Sequence, residues 1–135
     1  MRDLITHLMG MIGLANQASL STQQKGPAID CRGFNALAMF VFVGAGTLND
    51  ANNYLLSMEE ADADVNGNPV NWGAVPEAKL FGDRVLKAPN TVYKLGTSAT
   101  LHRFVRLVIT PVGTTASQVS ATAIAGHLGS EGKAW

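Results

Sequence analysis

Cysteine is nearly missing from this chain. Cys31 stands alone among 135 residues, so no internal bridge can form and a disulfide-stapled secreted scaffold is excluded. Charge is sparse too: Asp, Glu, Lys and Arg make up 15% of the residues, well below the roughly 25% of an average soluble domain. Ten basic side chains cancel ten acidic ones. That balance leaves no overall field to draw the chain to nucleic acid or an anionic membrane, and neither is expected as a partner. No apolar run reaches the ~18 residues that span a bilayer, and the stretch from Leu4 to Leu14 is broken by His7, Gly10 and Gly13. As a secretory signal that stretch is poor, because Asp3 offsets Arg2 and no Ala-x-Ala site follows it.

Apolar residues, by contrast, account for 47% of the chain. A single domain of this length can bury a core without staples or a structural metal. With so few charges, part of the surface is left to be covered by something other than solvated side chains, and burial in an assembly is the natural cover.

Local patterns predict an all-β chain. Leu4, Leu8, Met11 and Ile12 fall at spacings of four and three, the stripe of a short amphipathic helix, so residues 1–18 read as an N-terminal helix or arm ahead of a β-sandwich domain over residues 19–135. That stripe serves either packing on its own domain or docking on a neighbouring subunit. The run from Phe34 to Val43 is apolar at both parities, with Phe34, Ala36, Ala38, Phe40 and Phe42 on one side and Leu37, Met39, Val41 and Val43 on the other. Ordinary sandwich strands alternate with polar residues because one face meets water. Such a strand is either a central one covered by a loop or by the N-terminal segment, or a subunit contact.

Asn66-Gly67 is the strongest hairpin signal, joining a strand from Asn53 to Glu60 with a return over residues 70–75. Shorter strands follow near Lys79 to Phe81, Arg84 to Lys87 and Thr91 to Leu95. Two long β-branched runs, Leu101 to Thr110 and Ser117 to Gly126, flank Pro111-Val-Gly-Thr-Thr and read as an antiparallel pair closing the sandwich. The total is about eight strands.

Candidate chemistry is thin. Asp62-Ala-Asp-Val-Asn-Gly begins like an EF-hand loop, but its twelfth position is Gly73 instead of a bidentate Glu, and Pro69 interrupts it. A solvated Asx-rich hairpin is the better reading. His7, His102 and His127 are far apart, none at metal-ligand spacing. A Cys31 and His102 nucleophile pair lacks any local feature that lowers the thiol pKa. Arg103 and Arg106 fall on opposite faces of their strand by period two, which argues against one basic groove for nucleic acid. Glu59, Glu60, Asp62 and Asp64 form an acidic run that is either a solvated face or a source of cross-subunit pairs. No catalytic role, cofactor or metal is expected.

The succession Ile29-Asp-Cys-Arg-Gly-Phe34, Tyr54-Leu-Leu-Ser-Met-Glu-Glu60, Val92-Tyr-Lys-Leu-Gly96, Arg103-Phe-Val-Arg-Leu-Val-Ile-Thr110 and Ala121-Thr-Ala-Ile-Ala-Gly-His127 resembles small virion proteins of tailed bacteriophages. The resemblance runs from about residue 28 to 128 and leaves out the N-terminal segment and residues 76–90. It implies an antiparallel jelly-roll-like β-sandwich made in the host bacterial cytoplasm and carried on the capsid exterior. There it would cement or decorate joints between major capsid protein subunits as a homodimer, with a trimer as the second choice. Two other roles stay open: a base or adaptor for a head spike or tail fibre, and a carbohydrate-binding sandwich with exposed aromatics. Expected contact residues are Leu4, Leu8 and Ile12 of the N-terminal segment, Leu37, Met39 and Val41 of the doubly apolar strand, and Trp72, the last as either a local core plug or an interface anchor.

Overall fold

The computed structural model describes residues 8–98 and 102–126. Eleven strands follow in order: β1 (Leu8–Leu20), β2 (Gln24–Lys25), β3 (Ile29–Asp30), β4 (Ala36–Val43), β5 (Asn53–Ala63), β6 (Pro69–Ala74), β7 (Leu80–Gly82), β8 (Val85–Leu86), β9 (Thr91–Ser98), β10 (Phe104–Val112) and β11 (Ser117–Gly126). Among the described residues the helical element is one 3-10 turn at Glu77–Lys79. Sheet A has the order β1-β11-β4-β9-β7, and sheet B the order β2-β10-β5-β6 with β3 beside β10 and β8 beside β5. All the pairings are antiparallel. The chain alternates between layers, β4 to β5 and β9 to β10 to β11, which is the jelly-roll arrangement of interleaved Greek keys.

Inward side chains alternate along each strand and meet in one core. Sheet A supplies Leu37, Met39, Val41 and Val43 from β4 and Val119, Ala121, Ala123 and Ala125 from β11. Sheet B supplies Tyr54, Leu56 and Met58 from β5 and Val105, Leu107 and Ile109 from β10. Each large side chain so buried contributes about 1.5–3 kcal/mol of transfer free energy.

Two expectations are corrected. Of the helix or arm expected over residues 1–18, the described part is no helix: residues 8–20 form a long strand, β1, which runs through the anticipated boundary at residue 18 as an integral edge of sheet A. Gly10 and Gly13 disfavour a helix by about 1 kcal/mol each, and a partner strand, β11, is at hand: Met9 pairs with Ala125 and Ile12 with Thr122. The second correction concerns β10 and β11, which do not pair with each other. Each occupies the middle of a different sheet, and the turn between them crosses the sandwich, held where Thr114 N–H donates to Asn52 Oδ1 at 2.8 Å.

The Asn66-Gly67 hairpin is present. Gly67 takes a left-handed φ of 82° and donates to Asp64 O at 3.0 Å, while Asp64 Oδ1 accepts the N–H groups of Asn66 at 2.9 Å and Asn68 at 2.8 Å. Asn71, at φ 57°, marks a bulge that shifts β6 against β5 between Glu60 and Asp62.

Candidate docking face

Strand parity assigns the doubly apolar run its two sides. Leu37, Met39 and Val41 are 2%, 0% and 0% exposed and lie in the core, so these three expected contact residues are packing residues of the chain's own fold. The opposite parity, Ala36, Ala38, Phe40 and Phe42, faces outward from sheet A. Among the described residues the N-terminal segment does not cover this side, since β1 lies in the plane of the same sheet, two strands away.

The pairing register lays the outward side chains in rows across the strands. One row is Ser120, Phe42 and Val92; the next is Ile12, Thr122, Phe40 and Lys94; a third is Gly10, Ile124, Ala38, Gly96 and Phe81. Phe42 is 42% exposed, Val92 52%, Phe81 57% and Ile12 64%. In these three rows Lys94 is the one charged side chain. Cross-strand aromatic and β-branched neighbours such as Phe42 and Val92 also stabilise the sheet itself, by about 0.2–1 kcal/mol per pair.

Sheet B turns a different outer surface to solvent. Glu59 accepts from Arg106 Nε at 2.8 Å and from Lys25 Nζ at 3.3 Å. The Arg106 guanidinium also stacks on the Trp72 ring, 4.0 Å from its centroid. Burial would raise the Glu59 pKa, but the hydrogen bonds from Arg106 and Lys25 outweigh it and hold the carboxyl below its usual range. Asp30 behaves alike: burial opposes, while Arg103, with Nη2 at 3.2 Å, and Arg32 keep it low. Sheet B also exposes apolar side chains at one end, the cross-strand neighbours Leu55 and Val85 and, near them, Val112.

The remaining expected sites fall as follows. Ile12 joins the apolar face; Leu8 lies on β1 at the edge of sheet A, and Leu4 is outside the described residues. Trp72 is on strand β6, half-buried under Arg106, and is not a core plug. Cys31 is buried, its thiol pushed up to about 11 first by burial and then by the Asp30 charge, which makes it a poor nucleophile. His102 contacts carboxylates on both ring nitrogens, Asp62 at 2.6 Å and Glu60 at 3.4 Å. Asp64 is engaged by the hairpin turn and Asp62 by His102, so both carboxylates of the calcium-like motif already have partners.

Sequence reasoning missed Val92, Phe81 and the position of Phe42 on the open side. Alternation over Val92, Lys94 and Gly96 carried part of the signal, but which parity faces out depends on which strands flank β9.

No family model matches the chain, and no curated protein matches it. Among solved structures it is similar to the SPBc2 prophage-derived protein YomS, at 13% identity and a TM-score of 0.47 over 87% of this chain and 91% of that one. It is also similar to a chain from Bacillus endospore appendages, described as a novel family of disulfide-linked pili, at 11% identity and a TM-score of 0.43 over 89% of this chain and 88% of that one.

Proposed function

We propose that this chain is a non-enzymatic structural protein of a tailed-phage particle, docking on the outside of the capsid and bridging joints between major capsid subunits through the outer face of sheet A. The observation that carries the reading is the contrast between the two outer faces. Sheet B neutralises its charges in ion pairs, whereas sheet A spreads Ile12, Phe42, Val92 and Phe81 around a single Lys94. Exposed apolar side chains gathered on one face with little charge are a favoured protein contact. The assignment to a phage head comes from the sequence resemblance. Buried at a joint, such a face needs no chemistry; about 1,600 Å² per contact makes a stable interface.

A carbohydrate-binding module is less well supported. Trp72 is stacked by Arg106, Tyr54 is buried, and the Tyr93 hydroxyl accepts the N–H groups of Lys87 and Ala88. These three Trp and Tyr rings are committed within the fold.

The test is to add purified protein to undecorated heads of the source particle. Saturable, stoichiometric binding with greater heat resistance of the shell is the expected result. Binding to tails alone would move the protein to an adaptor role, and binding to neither would end the virion reading.

A further inference from the structure

The two sheets end in edges of unequal character. Sheet A closes on one side with β7, only three residues long. In sheet B the outer strands are the two-residue β2 and β3 on one side, and on the other the two-residue β8 and β6, which carries Pro69 and a bulge at Asn71. Short strands, prolines and bulges are the usual means of preventing edge-to-edge pairing. The edge formed by β1 is different. It is 13 residues long with the sequence Leu-Met-Gly-Met-Ile-Gly-Leu-Ala-Asn-Gln-Ala-Ser-Leu, which holds no charge and no proline.

The protective devices of β1 are confined to its second half. From Leu8 to Ile12 the register against β11 is regular, and the shifts begin after Ile12. Beyond that point the strand bends toward sheet B, where Gly13 O comes so close to Gly26 that a Cβ there would lie 1.9 Å from it. Over Leu8–Ile12, among the described residues, nothing pairs with the outer edge.

We infer that this Leu8–Ile12 edge pairs antiparallel with the same edge of a second copy, joining the two A sheets across a two-fold axis. Self-pairing satisfies the unused N–H and C=O groups of both strands with one repeated surface, as a closed two-fold contact requires. A register centred on Gly10 places Gly10 against Gly10 of the second copy and Leu8 against its Ile12. Glycine at the axis adds no bulk there, and the uncharged strand places no like charges across it. Continuity favours a second copy over an unrelated strand: Ile12, 64% exposed, ends its row at this edge, so pairing covers it and runs the apolar faces of two copies together. Because only a short stretch pairs, the contact is at the small end of specific interfaces and the dimer is a weak one.

The pairing does not rest on the capsid reading and is measured without heads. Sedimentation velocity of the full chain from about 1 μM to about 1 mM is expected to show monomer passing to dimer. Gly10→Lys is the informative variant, since a Cβ at Gly10 meets nothing within 4 Å and a charge on an edge strand blocks pairing. It should stay monomeric over the same range while keeping the wild-type circular dichroism and melting curve. Gly73→Lys, on β6 and equally open, should dimerise like the wild type. Amides of residues 10–12 should exchange more slowly in the concentrated wild type than in Gly10→Lys. A wild type that stays monomeric overturns the inference. So do a dimer that survives Gly10→Lys, equal loss in Gly73→Lys, or a trimer.

Discussion

The Tyr54 ring is fully buried on sheet B, yet its hydroxyl donates to Leu20 O at the end of β1 and accepts Ser117 N–H at the start of β11, the latter at 2.9 Å. One side chain therefore ties two strands of sheet A to the opposite layer. Tyr54→Phe keeps the ring and strands both partners, and should cost about 1–3 kcal/mol, read from the midpoint of urea unfolding at unchanged m-value. A second residue-scale effect concerns pH. His102 has its pKa raised above 6.5 chiefly by its hydrogen bond to Asp62, with burial opposing, the Glu60 and Asp62 charges adding and Lys79 opposing. A raised folded-state value stabilises the protein below the unfolded pKa and loses that contribution as pH rises through the folded one. Glu59, held below its ordinary 4.5, contributes above that value and loses its contribution as pH falls through its folded pKa. Stability should therefore be greatest between about 4.5 and 6.5. Asp62→Asn should flatten the alkaline side of the profile, with the His102 ring titrating at lower pH by NMR; an unchanged His102 titration would contradict the account.

At the scale of elements, β1 depends on two glycines that let backbones and side chains approach. A Cβ on Gly26 would lie 1.9 Å from Gly13 O, and one on Gly13 would lie 2.9 Å from Met39 Sδ. The first neighbour is backbone and cannot turn aside. Gly26→Ala should cost about 3 kcal/mol or more, whereas Gly73→Ala, with open space around it, should stay within about 0.5 kcal/mol; thermal unfolding of the two variants gives the comparison. These contacts also explain what the sequence could not convey. The strand-forming run from Phe34 to Val43 and the Asn66-Gly67 turn were legible because strand preference and turn chemistry are local. The apolar spacing in residues 4–12 fits a helix, and over residues 8–12 the presence of β11 alongside decides for a strand. Likewise the runs that become β10 and β11 look like a hairpin until the Asn52 contact shows the turn crossing between layers. For the site, the parity of β4 was readable, but which parity meets the core depends on the opposing sheet, and the choice of Leu37, Met39 and Val41 as contacts fell on the wrong side.

On the scale of the whole molecule, the outer rows of sheet A expose Ile12, Phe42, Val92 and Phe81 with a single charge, while sheet B carries paired charges and exposes Leu55, Val85 and Val112 at one end. In the proposed capsid role, a modest contact through the outer face of sheet A would be multiplied over the many copies of a shell and made decisive by avidity. Lys94, the lone charge among the outward rows, is placed to set orientation more than affinity. The most direct test is a binding isotherm to undecorated heads for the wild type, for Phe42→Lys with Val92→Lys on sheet A, and for Leu55→Lys on sheet B, all three side chains being exposed. The account predicts that the sheet A variant binds at least about tenfold more weakly, a loss of about 1.4 kcal/mol, while Leu55→Lys binds as the wild type does. Equal binding by the sheet A variant, or a loss confined to Leu55→Lys, would contradict it.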